Sequence, residues 1–131
     1  MNPKADELKV RTAAFAKAVI ALCEAAANTQ AARRITAQLI DAATSVAANY
    51  RAACRARSRA EFVSKMAIVR EEADESEGWI TMLVDIKALP IDAAEPCRKE
   101  ASELTAIANA SYLTAKRRHD RRRSHTPGAG G

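Results

Sequence analysis

The sequence predicts an all-α protein, an antiparallel up-down-up-down four-helix bundle followed by a disordered basic C-terminal tail. Of its 131 residues, 48% are hydrophobic but only 4% are aromatic, and Gly and Pro number four each. Ala, Leu, Arg and Glu favour helices, whereas the β-branched, aromatic and turn-forming residues that sheets require are scarce. Four amphipathic stretches with short connections follow one another, which is the pattern of a single-domain bundle.

The first two helices are predicted at about 5–27 and 30–56. On each, core-type residues recur at alternating steps of three and four, which places them on one face of a helix. The first face comprises Leu8, Thr12, Phe15, Val19, Leu22 and Ala26, and the second comprises Ile35, Leu39, Ala42, Val46, Asn49 and Ala53. Asn28 and Thr29 supply stop and cap residues between the two helices.

The third helix is predicted at about 58–89 and has the strongest pattern. Its face comprises Phe62, Met66, Val69, Ala73, Ser76, Ile80 and Leu83. Ser58 followed by Glu61 predicts a capping box at the start of this helix, which favours a break near 56–58 over one uninterrupted helix from about 30 to 89. The helix should end near Leu89, because the residue before a proline is pushed out of the helical conformation.

The fourth helix is predicted at about 92–116 and has the weakest pattern. Asp92 and Glu95 form a second capping-box-like pair, and Pro96 is tolerated near the start of a helix. The expected face comprises Ala94, Cys97, Ala101, Leu104, either Ile107 or Ala108, and Ser111. Residues 1–115 thus form the bundle domain. Many of its core positions are Ala, which buries little surface, so we expect the bundle to need a subunit partner.

Positive charge is concentrated in two places. The first 115 residues carry 15 basic and 15 acidic side chains, so the net charge of +5 arises from the segment KRRHDRRR, residues 116–123. Residues 116–131 are expected to form a basic disordered tail. The second place is the predicted break, which carries Arg51, Arg55, Arg57 and Arg59. In an up-down-up-down bundle, both groups would lie at the same end of the molecule.

The sequence contains no constellation typical of an enzyme or a metal protein. Cys23, Cys54 and Cys97 lack metal-type spacing and are expected to be free thiols. The two histidines, His119 and His125, do not form the Glu-x-x-His pairs of di-iron bundles. We therefore expect no enzymatic activity, no cofactor and no metal. A cytoplasmic protein without a membrane partner is expected, because no apolar run approaches ~20 residues and the first residues do not form a signal peptide.

Polar residues on the second and third helices allow three interpretations. Asn49 lies on the predicted core face, and a second stripe on the third helix comprises Glu61, Lys65, Ile68, Glu72, Glu75 and Trp79. This stripe is a solvated face, a buried or interfacial polar network that includes Asn49 and Arg51, or a catalytic carboxylate cluster.

Three segments between Gln38 and Leu83 form a specific combination: SVAANYRAA, RSRAEFVSKM and EADESEGW. With looser similarity in ELKVRTAAFAKAVIAL and EASELTAIANASYLTAK, they extend over about 110 residues. The chain thereby resembles the four-helix-bundle proteins encoded within 23S rRNA intervening sequences.

The resemblance implies an antiparallel four-helix bundle without established enzymatic activity that forms a homo-oligomer, with a pentamer suggested. It also implies a distant similarity to accessory proteins of diversity-generating retroelements, which bind nucleic acid through a positively charged pentamer and assist a reverse transcriptase. The polar positions that match the family pattern are implied to have structural or interface roles: Ser45, Asn49, Arg51, Ser58, Glu61, Glu72 and Glu75.

Two function hypotheses follow, with an uncharacterised enzyme as a third. In the first, the protein binds nucleic acid, RNA rather than DNA, through phosphate contacts. The candidate residues are Arg51, Arg55, Arg57, Arg59, Lys116, Arg117, Arg118, Arg121, Arg122 and Arg123. No aromatic platform accompanies these arginines, so recognition of a base sequence by stacking is not expected. In the second, the chain is a structural or partner-binding oligomer whose tail aids solubility or docks an acidic protein.

Overall fold

The computed structural model describes residues 2–124, which form four helices and, within that range, no strand. The helices are α1 (Pro3–Glu24), α2 (Gln30–Cys54), α3 (Arg59–Asp85) and α4 (Ile91–Ser124). Helix α3 packs extensively against both α2 and α4, whereas α1 and α4 contact each other only sparsely. The predicted up-down-up-down bundle is therefore confirmed, with a loosely closed seam between α1 and α4. No helix in this range combines the length and the apolar character needed to cross a membrane.

A continuous apolar core runs along the bundle. Its largest fully buried side chains include Leu39, Met66, Ile80 and Leu83, while Ala32, Ala43, Ala73 and Ala101 are also fully buried. The buried hydroxyls of Thr12 and Ser76 donate to the carbonyls of Leu8 and Glu72, one turn earlier, at 2.9 and 2.8 Å. These internal bonds satisfy the polar groups of the core.

The core face predicted for α2 is corrected at one position, and the structure decides between the two residues left open on α4. On α2, Tyr50 is buried and Asn49 is only half-buried, so Asn49 is not a core residue. On α4, Ala108 is buried and Ile107 is half-buried. A pattern read in steps of three and four assumes 3.5 residues per turn, and a straight helix of about 3.6 drifts away from that repeat along its length.

The corner between α2 and α3 contains the predicted helix break and its cap. The Ser58 hydroxyl accepts a hydrogen bond from the N–H of Glu61 at 3.0 Å. The Glu61 carboxylate accepts from the N–H of Arg57 at 3.2 Å, rather than from Ser58 as the usual capping box would have it. The first hydrogen bond of the cap is the predicted one, whereas the second holds the backbone N–H one residue before the predicted position.

Removing this cap should destabilise the bundle. We expect Ser58→Ala to lower the free energy of unfolding by about 1 kcal/mol, because the N–H of Glu61 loses its acceptor. Urea denaturation measures the change. Ser58→Asp, which retains an acceptor, is the matched control, and equal stability of Ala and Asp variants would contradict a capping role for Ser58.

Helix α3 ends four residues before the predicted end at Leu89. Lys87 adopts a left-handed conformation with φ of 62°, and the N–H groups of Ala88 and Leu89 both donate to the carbonyl of Leu83. This arrangement ends α3 before the proline, so the proline does not determine where the helix ends. The following loop also receives a bond from the α1–α2 loop, since the N–H of Ala27 donates to the carbonyl of Ala88 at 2.9 Å.

The start of α4 differs from the capping-box prediction. The helix begins at Ile91, so Asp92 lies inside its first turn rather than at its N-cap. Glu95 does not cap the helix, because its carboxylate accepts from the Arg98 guanidinium at 2.6 and 2.8 Å. Pro96 lies beyond the first turn and is accommodated within the helix.

The other end of α4 also differs from the prediction. The helix continues through the basic segment to Ser124 instead of ending near 116, so the expectation of disorder is corrected for residues 116–124. Lys and Arg are good helix formers, and cations favour the negative C-terminal end of a helix. Lys116 also pairs with Asp120 one turn later at 3.5 Å. The expectation for residues 125–131 lies outside the described residues.

Candidate nucleic-acid interface

Four helix ends meet at one end of the bundle: the N-termini of α1 and α3 and the C-termini of α2 and α4. We call this end the basic pole, and its ten basic residues are Arg51, Arg55, Arg57, Arg59, Lys116, Arg117, Arg118, Arg121, Arg122 and Arg123. Arg59 and Arg118 line the same cleft, together with Phe62 and Ala115. The structure thus brings the two separate basic runs of the sequence next to each other.

An open groove of ≈ 660 Å³ between α2 and α3 forms one side of the basic pole. Its lining is mainly basic and includes Arg51, Arg55, Arg57 and Lys65, with Glu61 as the acidic residue. Within residues 2–124, none of these four cations forms an ion pair. Their charge is therefore available to attract an anion.

The basic part of α4 extends beyond the corner. Arg59, the first residue of α3, shares a cleft with Arg118, so the residues after Arg118 continue past the start of α3. At 1.5 Å per residue, this overhang is about 9 Å long. It presents Arg121 and Arg123 as exposed side chains, whereas the charge of Lys116 is partly balanced by Asp120.

Two aromatic residues also lie at the basic pole. Tyr50 and Phe62 line an open cleft of ≈ 570 Å³, which we call the pole cleft, together with Lys4 and Leu8 from α1. Burial, together with a hydrogen bond to Cys54, raises the pKa of Tyr50 above its ordinary value. No aromatic platform was predicted beside the arginines. The signal that was missed is that these two rings directly flank the arginine run.

The polar positions predicted on α2 and α3 separate into two places. Asn49 donates to the hydroxyl and the carbonyl of Ser45 at 2.8 and 2.9 Å. Ser45 also hydrogen-bonds Glu72, which in turn hydrogen-bonds Glu75. Ser45, Asn49 and Glu72 are half-buried between α2 and α3, and Glu75 lies at the exposed edge of this cluster. Glu61 lies apart from them at the corner, where it caps the N–H of Arg57.

Next to Glu75, the carboxyl of Glu72 has a pKa that is unusually high for a glutamate. Burial, followed by the hydrogen bond and the charge of Glu75, raises the pKa of Glu72 to about 7, while the hydrogen bond from Ser45 acts in the opposite direction. Within residues 2–124, no group of three His, Cys, Asp or Glu residues is arranged to hold a metal ion. The raised pKa of Glu72 favours the protonated form of its carboxyl near neutral pH.

Stability should consequently fall as the pH rises toward 7. The folded pKa of Glu72, about 7, lies above its ordinary value of 4.5, so the folded state holds a proton that the unfolded state releases between these pH values. Glu72→Gln mimics the protonated form and should be more stable than the parent at pH 8 by about 1 kcal/mol, after allowance for solvent screening.

Urea denaturation at pH 5 and pH 8 measures this difference. The parent should lose stability between the two values, and the Glu72→Gln variant should lose less. Asp74→Asn, at an exposed position on the same helix, is the control. An unchanged pH dependence in Glu72→Gln would show that this carboxyl does not hold the proton.

Two ion-pair groups and one cation–π contact link α4 to its neighbours away from the basic pole, and the sequence did not reveal them. Arg11 bridges the α1–α4 seam by bonding Glu100 at 2.6 and 2.7 Å and Glu103 at 2.8 Å. Arg98 bonds Glu77 as well as Glu95. The Arg70 guanidinium lies 4.1 Å from the centre of the Tyr112 ring and donates to Asn109 at 3.1 Å. These basic side chains already have partners.

Comparison with known families gives one match over most of the chain. The model of the 23S rRNA-intervening sequence protein family matches residues 7–110. The match includes the four corner arginines and the Ser45–Glu75 cluster. It ends before the basic segment that starts at Lys116.

Comparison with solved structures shows the same relationship. The chain is similar to a protein of unknown function from the S23 ribosomal protein family of Bacteroides thetaiotaomicron. The two are 26% identical with a TM-score of 0.76, and the similarity covers 84% of this chain and 98% of that chain. No curated protein matches the chain significantly.

Proposed function

Since the chain belongs to the 23S rRNA-intervening sequence protein family, we propose that it is a non-enzymatic, homo-oligomeric protein that binds nucleic acid at its basic pole. The observation that carries the proposal is the convergence of two basic runs, with Arg59 and Arg118 lining one cleft. Neither the family nor the related structure is described by an enzymatic activity. The family's description refers to 23S rRNA, which favours RNA over DNA as the ligand.

Phosphate contacts are the proposed mode of binding. The guanidinium of Arg presents a planar set of donors that matches a phosphate, and the corner arginines carry no competing ion pair within the described residues. Each phosphate that is neutralised releases condensed counterions, so the affinity for a single strand falls with salt by a log–log slope of about 0.7 per contact. Such contacts do not read the base sequence.

Oligomerisation is the second part of the proposal. Helix α1 has the sparsest packing and exposes Val10 at 70% and Ile20 at 39%, which are surfaces that a second copy could cover. The family resemblance suggests a pentamer, and a ring of copies would repeat the basic pole in each subunit. Light scattering at micromolar concentration tests this part, because a stable species with the 14.1 kDa mass of one chain would refute it.

Binding of a labelled single-stranded RNA over a salt series tests the nucleic-acid part. The parent should bind at low salt with an affinity that falls steeply as salt rises. A chain cut after Ala115 should bind more weakly with a smaller salt slope. Because that cut also shortens α4, a second variant replaces the six basic residues of positions 116–123 by Gln, which retains the helix. Absence of RNA binding by the parent at ~50 mM salt would overturn the proposal.

The alternative is a scaffold that docks an acidic protein and has no nucleic-acid role. The α4 overhang supports this alternative as much as it supports nucleic-acid binding, since an exposed basic helix also suits an acidic protein surface. This alternative predicts normal oligomerisation together with no RNA binding, so the two measurements above separate it from the proposal.

A further inference from the structure

The pole cleft has the size and lining of a site for a small planar group. Its volume of ≈ 570 Å³ lies within the range of about 300–1,000 Å³ that is typical of small-ligand sites. Leu8 and Ile107 contribute aliphatic surface, and Tyr50 and Phe62 contribute rings. Tyr50 and Phe62 are two of the five aromatic residues of the chain, which contains one Trp, two Tyr and two Phe.

Positive charge surrounds this apolar lining. Lys4 lines the pole cleft itself. Phe62 is shared with the neighbouring cleft that Arg59 and Arg118 line, so the two clefts meet at its ring. A ligand that suits both clefts has a flat, uncharged part and an attached anionic part. A nucleotide of an RNA strand has this combination.

Hydroxyl groups in the pole cleft suit the edge of a base. Ser58 and Ser111 both line it, and a hydroxyl can donate as well as accept a hydrogen bond. Every base presents a mixture of donors and acceptors on its edge, so these two groups favour base binding without selecting one base. The half-buried ring of Phe62 also favours base binding, because each base has a face that can stack, whereas the ring of Tyr50 is mostly buried.

We infer that the pole cleft accepts one unpaired base of an RNA strand whose phosphates lie on the basic pole. This inference rests on the proposed function and adds the class of RNA. Bases inside a duplex are stacked and paired, so only a single-stranded segment, loop or end can place a base in the cleft. The protein should therefore prefer single-stranded RNA to duplex RNA of the same length, with little preference for sequence.

The test compares a single strand of about 12 nucleotides carrying 2-aminopurine with the same strand paired to its complement. The single strand should bind about tenfold or more tightly, since one stacked base contributes about 1–3 kcal/mol. Its 2-aminopurine emission should also change on binding, while the emission of the duplex should not. A strand of the same length made entirely of abasic residues, which keeps the phosphates and has no bases, should lose the added affinity.

Variants of the cleft identify the place of contact. Ala56 is half-buried and lines the pole cleft, so Ala56→Met should fill part of the space without removing any charge. Phe62→Leu removes one ring and retains an apolar side chain. Each variant should lose the preference for the single strand and keep duplex binding and most of its salt slope. Ala110→Met, at an exposed position of α4 that does not line the cleft, is the matched control.

Equal binding of single strand and duplex by the parent would overturn the inference while leaving the proposed function intact. The same conclusion follows if both cleft variants retain the full preference and the emission change. Absence of binding to either RNA at ~50 mM salt would overturn the proposed function, and the inference with it. Thermal melting of each variant confirms that a lost preference does not reflect unfolding.

Discussion

Replacing Arg51, Arg55, Arg57 and Arg59 together by Gln should weaken RNA binding at least about a hundredfold near 0.1 M salt. These side chains line the open groove and its neighbouring cleft and form no ion pair within the described residues. If each contacts one phosphate, the log–log salt slope for single-stranded RNA should fall by about 3. Fluorescence anisotropy over a salt series measures both quantities.

A matched variant distinguishes local contact from the loss of total charge. Lys17, Arg34, Lys87 and Lys99 are exposed, lie outside the basic pole and form no ion pair within residues 2–124. Their replacement by Gln removes the same number of charges and should leave the salt slope nearly unchanged. Equal losses in the two variants would show that binding follows net charge and not the basic pole.

Truncating Leu39 should produce the largest loss of stability. Leu39 is fully buried on α2 at the centre of a core that contains many alanines, so few neighbouring side chains can move in to fill the space. We expect Leu39→Ala to lower the free energy of unfolding by about 3 kcal/mol or more. That is a large fraction of the ~5–15 kcal/mol that stabilises a typical domain. Urea denaturation monitored by circular dichroism measures the change.

Leu113→Ala is the control for Leu39→Ala, since Leu113 is 44% exposed on α4. Its effect should remain within about 0.5 kcal/mol. Both variants should be compared at one protein concentration, because assembly would couple stability to concentration. A loss below about 1 kcal/mol in Leu39→Ala would contradict the close packing described for this core.

Local signals in the sequence were sufficient for most of the fold. The face from Met66 to Leu83 on α3 is buried as its spacing predicted, and the cap at Ser58 forms where the sequence placed it. The left-handed conformation of Lys87 was not predictable, since this conformation is uncommon outside Gly and Asn. The helical state of residues 116–124 was not predicted, because a dense run of like charges is typical of disorder, although Lys and Arg themselves favour a helix.

The sequence predicted only those features of the candidate site that follow from the order and direction of the helices. The shared position of the two basic runs follows from the alternation of helix directions, and Arg59 and Arg118 are adjacent as a result. The pole cleft depends on how four helix ends meet, which no local pattern encodes. The same applies to Arg11 and Glu100, which are separated by 89 positions in the sequence. Contacts of this kind arise only from the packed structure.

The sparse seam between α1 and α4 makes α1 the helix that the bundle can release most easily. It has the fewest contacts of the four, and Arg11 holds it to α4 through partly exposed ion pairs. Amide hydrogens of α1 should therefore exchange with solvent before those of α3. Lys4 and Leu8 of α1 line the pole cleft, so detachment of this helix from the bundle would widen the cleft. The sparsest helix–helix contact of the bundle, between α1 and α4, would then control access to the proposed binding site.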